Sequence, residues 1–119
     1  MVLMVMVEGM EVKAKRIHGN RLIKAWKTLS SKPMPKIKAF RLSDEDFNSV
    51  IKQRRCLEDD MREIEEWGRL LSTKGTDACV FNARENEDAE YIIIVRENPY
   101  HPMDEIILHE LTHVARGDL

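Results

Sequence analysis

At 119 residues the chain is long enough for one domain around one core and too short for a deep cleft between two large lobes. Its 43% hydrophobic and 34% charged residues place it with soluble globular chains and exclude a disordered one. The net charge of −2 hides a polarity: residues 1–41 carry ten Lys and Arg against two Glu, a balance of +8, whereas residues 42–119 carry nine against nineteen, a balance of −10.

Val2–Val7 is a six-residue apolar run, too short to span a bilayer and without the basic segment of a secretory signal. Together with two cysteines, Cys56 and Cys79, that lack CxxC spacing, this predicts a cytoplasmic protein with reduced thiols and no membrane partner. Residues 2–7 and 12–17 flank Glu8-Gly9-Met10-Glu11 and read as a hairpin. From Asn20, the spacing of Leu22, Ile23, Trp26 and Leu29 predicts an amphipathic helix ending before Ser30. Pro33 and Pro35 break regular structure, and Ile37, Ala39 and Leu42 suit a short strand.

Ser43 is a good N-cap, and Asp44, Glu45 and Asp46 put negative charge where the helix dipole favours it. Phe47, Val50, Ile51, Leu57, Met61, Ile64, Trp67, Leu70 and Leu71 keep helical spacing, so a long helix is predicted over 44–72. Strands near 78–81 and 91–95 form a second hairpin with a polar tip, and Asn98-Pro99-Tyr100-His101-Pro102 is a rigid linker into a helix over 103–116. The predicted fold class is α+β, a single domain over 1–119 with a three- or four-stranded sheet packed on a long backing helix.

The last helix contains His109-Glu110-Leu111-Thr112-His113. Two histidines four apart lie one turn apart on the same helix face, which suits two neutral imidazole ligands of a Zn2+ ion. Glu110 follows the first ligand, rotated by roughly 100°, where a general base for a metal-activated water is needed. At that rotation Met103, Ile107, Leu108, Leu111, Val114 and Ala115 fall on an expected core arc, and Ile106, His109, Glu110 and His113 on an expected site arc.

In these residues the chain resembles the zincin metallopeptidases, most closely in size the minimal archaeal gluzincins. The resemblance covers the HExxH motif and, upstream, only the order of backing helix, hairpin and motif helix. It implies a zincin-like fold, hydrolysis of peptide bonds in a peptide or unfolded protein, Zn2+ bound by His109 and His113, and Glu110 as general base. It also implies that Tyr91–Arg96 or its hairpin partner borders the metal and takes substrate as an added strand.

A catalytic zinc has three protein ligands and one water. The downstream glutamate helix of gluzincins has no counterpart in residues 114–119, and Arg116 and Leu119 stand where metzincins place their glycine and third ligand. Asp118 is the nearest downstream carboxylate; on a continued helix it points roughly 140° away from His113, and a left-handed Gly117 would swing it back. His101, Glu63, Glu66, a residue of a second subunit in a homo-oligomer, and further water are the other candidates, as is a gene product longer than this chain. An incomplete ligand set leaves a latent, non-catalytic zincin as the alternative. A second alternative is a nucleic-acid-associated module that docks through the basic segment 13–41. Tyr100 reads as a packing anchor or an oxyanion donor, His18 as exposed, and Trp26 and Trp67 as core.

Overall fold

Residues 92–95, Ile-Ile-Ile-Val, are buried on both sides of their strand, which requires a sheet covered on both faces. The computed structural model, which describes residues 2–7, 9–58, 77–83 and 88–117, has that arrangement. Strands β1 (Val2–Val7) and β2 (Met10–Arg16) precede helix α1 (Gly19–Leu29). Strand β3 (Ile37–Leu42) leads into α2 (Asp44–Glu58), and β4 (Ala78–Asn82), β5 (Tyr91–Arg96) and α3 (Met103–Arg116) complete the domain.

Among the described residues the sheet has five strands in the order β1-β2-β3-β5-β4, one more than the upper expectation from sequence. The extra size comes from β3, which pairs antiparallel with β2 and parallel with β5 and so fuses the two hairpins. On one face Ile37, Ala39, Ile93 and Val95 pack with Leu22 and Trp26 of α1 and Ile107 and Leu111 of α3. On the other, Phe40, Leu42, Ile92 and Ile94 pack with Phe47, Val50 and Ile51 of α2. The expected single backing helix is therefore corrected to an α+β sandwich in which α2 lies opposite α1 and α3.

Local signals explain the element ends. Gly9 has φ 81°, a conformation that suits glycine in the tight β1–β2 turn. The Ser43 hydroxyl accepts from the Asp46 N–H at 3.2 Å, capping α2 as expected. His18 caps α1 through Nδ1, which accepts from the Asn20 N–H. Residues 59–72 of the predicted long helix, with Glu63, Glu66 and Trp67, lie outside the described residues. Among the described residues no helix is long and apolar enough to cross a membrane.

The linker into α3 is held from two sides. Asp44, in the first turn of α2, accepts from the Asn98 N–H at 3.1 Å, from Asn98 Nδ2 and from Arg96 Nε. The Asn98 backbone donor is the chief reason the Asp44 carboxyl titrates below the usual range, with Arg96 adding to it. Arg96 is buried, its guanidinium between the rings of Phe47 and Tyr100 at 5.6 and 5.2 Å. Tyr100 itself is largely exposed, so its contact is with a cation and not a core anchor.

Candidate metal centre

The amphipathic arc of α3 sets the site. Ile106, Ile107, Glu110, Leu111 and Val114 are its buried residues, whereas Leu108 and Ala115, expected in the core, are exposed. The core arc is thus rotated towards Ile106 and Glu110, because α3 packs on both the sheet and α1. His109 and His113 remain at the surface beside it, His113 the more covered.

Their Nε2 atoms are 3.2 Å apart, with the rings edge-on at 88°. Two nitrogens at about 2.0–2.1 Å from a tetrahedral zinc stand about 3.3–3.4 Å apart, so the observed separation is close to that of two donors of one such ion. In metal-free protein the same approach is a hydrogen bond in which one Nε2–H donates to the other ring.

Glu110 is 7% exposed. Burial pushes its carboxyl above the ordinary carboxylate range, and His113 partly opposes the shift. No described residue hydrogen-bonds this carboxylate, and it lines an open pocket of about 460 Å3 together with Asp77, Ala78, His101, Glu105, Ile106 and His109. A buried carboxylate that lines a pocket with no hydrogen-bond partner among the described residues is placed to exchange a proton with whatever occupies that pocket.

Asp77, just before β4, was not distinguished by any sequence signal, yet it organises the pocket's other wall. It is buried, and its carboxylate accepts from the backbone N–H of Tyr100 at 2.7 Å and of His101 at 3.0 Å, and from His101 Nδ1. A carboxylate is acceptor-only, so Nδ1 of His101 donates to it, and in the neutral ring Nε2 keeps its lone pair. The structure therefore brings His101 into the same pocket as His109 and Glu110. Among the described residues no three His, Cys, Asp or Glu side chains stand close enough to hold one metal ion. Asp118 lies outside the described residues, but Gly117 is left-handed (φ 71°, ψ 31°) and ends α3 with its N–H on Val114 and His113 carbonyls, the chain reversal on which that ligand depends.

Replacing Asp77 by Ala strands two backbone donors, at about 1–3 kcal/mol for each left buried. We expect Asp77→Ala to lower the unfolding free energy by about 2–4 kcal/mol. Urea denaturation checks this, a shift under 0.5 kcal/mol contradicting the clamp.

Of the two strands that resemblance left as cleft border, β5 is interior and β4 is the sheet edge. Ala78 at the start of β4 lines the pocket. No family model, curated protein or solved structure matches the chain.

Proposed function

We propose that the chain is a zinc-dependent metallopeptidase of a zincin-like fold, with His109 and His113 as metal ligands and Glu110 as general base. The observation that carries the reading is the convergence of the two Nε2 atoms to 3.2 Å one turn from a buried carboxylate without a described hydrogen-bond partner.

Zinc, when bound, supplies a Lewis acid that makes a water nucleophilic near neutral pH. Glu110 takes the proton of the attacking water and returns it to the leaving amine; its burial raises its basicity towards that task. Ala78, at the start of β4, lines the pocket, so an extended substrate peptide would run beside that strand. His101, fixed by Asp77, lines the same pocket and faces the substrate rather than completing the ligand set.

Zinc content and cleavage of an unfolded protein substrate, measured on wild type and His113→Ala, test the reading. Wild type is expected to hold about one zinc per chain, and His113→Ala to lose metal affinity at least 100-fold together with cleavage. Equal zinc in both proteins would refute the ligand assignment. A zinc-loaded wild type that cleaves nothing would favour the latent form.

A further inference from the structure

A second concave surface, remote in chemistry from the histidine pair, carries the excess charge of the first third of the chain. This groove of about 530 Å3 is lined by Lys15, Arg16, His18, Arg21 and Arg41 with the apolar Leu3, Ile17 and Met103, and by no carboxylate. The five polar side chains are exposed. Lys15 and Arg41 stand directly opposite each other in the β2–β3 ladder. Like charges so placed repel and cost stability, so the fold maintains this pair against its own interest.

The internal partners are weak ones. Arg21 Nε meets Asp104 at 3.0 Å, but both side chains are mostly exposed, and such a pair contributes little and exchanges readily. Arg41 donates to the Glu97 carbonyl, which leaves its charge uncompensated. His18 accepts at Nδ1 from the Asn20 N–H, so Nε2 carries the proton and is a further donor.

We propose that this groove binds the phosphates of a nucleic-acid backbone. A concave floor of cations admits a projecting chain of phosphates, whereas a flat anionic bilayer meets only its rim. Lys24, three residues on along α1, lies in a neighbouring pocket that Arg21 also lines, together with Asp104, the exposed partner of Arg21. Repeated cations match repeated phosphates better than a single free anion. The groove lining contains no Phe, Tyr or Trp, and His18 is its one ring, so binding is indifferent to sequence and steeply salt-dependent.

The test is fluorescence anisotropy of the full chain with labelled oligothymidylate at rising salt. About five phosphate contacts give a slope of log K against log salt of about −3 to −4. Lys15→Glu is expected to weaken binding at least tenfold and to flatten the slope by about one contact's worth or more. Because it replaces a repulsive neighbour of Arg41 by an attractive one, its thermal midpoint should equal or exceed wild type. Lys15→Gln, expected to bind weakly also, separates loss of contact from added repulsion. Lys52→Glu makes the same charge change on exposed α2, outside the groove, and should bind as wild type. The proposal is overturned if no complex forms at about 50 mM salt, or if Lys15→Glu binds as wild type. It is equally overturned if Lys52→Glu is as impaired as Lys15→Glu, or if phosphatidylglycerol vesicles bind and the oligonucleotide does not. None of these readouts involves zinc or cleavage.

Discussion

Glu110→Gln is expected to keep the zinc of wild type, to lose about 10²–10⁴-fold in kcat/KM for peptide cleavage, and to yield metal-free protein that is more stable at neutral pH. The loss follows from removing a buried pocket carboxylate able to carry the proton from water to amine; Asp77, the other one, is engaged by the Tyr100 and His101 donors. The gain follows from the same burial. A carboxyl whose folded-state pKa is raised above its ordinary 4.5 contributes stability that is complete below that value and is lost as pH rises through the raised pKa. Glutamine does not titrate and has no charge to desolvate. The stability difference between variant and wild type should therefore be constant at low pH and widen above about pH 4.5. Denaturant unfolding of both metal-free proteins across that range gives the comparison. Parallel profiles would mean that the carboxylate is not desolvated as described, and retained cleavage would remove Glu110 from the chemistry.

Phe47→Ala is expected to cost about 3–5 kcal/mol, a fall in melting temperature of about 10–25 °C for a domain of this size. Phe47 is fully buried on α2, against the sheet face opposite the histidines, in a cluster with Phe40, Leu42, Ile92 and Ile94. It also lies under the Arg96 guanidinium that holds the linker, so the variant loosens the approach to α3 as well. Ile23→Ala, at a half-exposed position of α1, should cost well under half as much. A loss below 1 kcal/mol for Phe47→Ala would mean that α2 does not pack on the sheet.

Several elements were legible because their signals are local. Two extended segments flanking the turn at Gly9 identified the first hairpin, Ser43 and three following acids marked the start of α2, and apolar spacing located α1 and α3. The limits were equally physical. Nothing local in residues 37–42 indicates that β3 pairs with strands from two different hairpins, since those partners are far apart in sequence. Periodicity within α3 implies one apolar face against one neighbour, whereas the helix packs on both α1 and the sheet. That is why Leu108 turned out exposed and Ile106 buried.

The sequence by itself determined the pair His109 and His113, with Glu110 between them, because helical periodicity fixes relative direction within one element whatever surrounds it. It also determined that positive charge concentrates before residue 42. The tertiary structure alone decided what faces these groups. Asp77 and His101 are 24 residues apart and form one wall of the pocket; Lys15 and Arg41 are brought opposite each other by strand register. The edge position of β4 follows from the order of the whole sheet. Each of these depends on non-local pairing and on burial, which create proximity and desolvation that no single segment encodes.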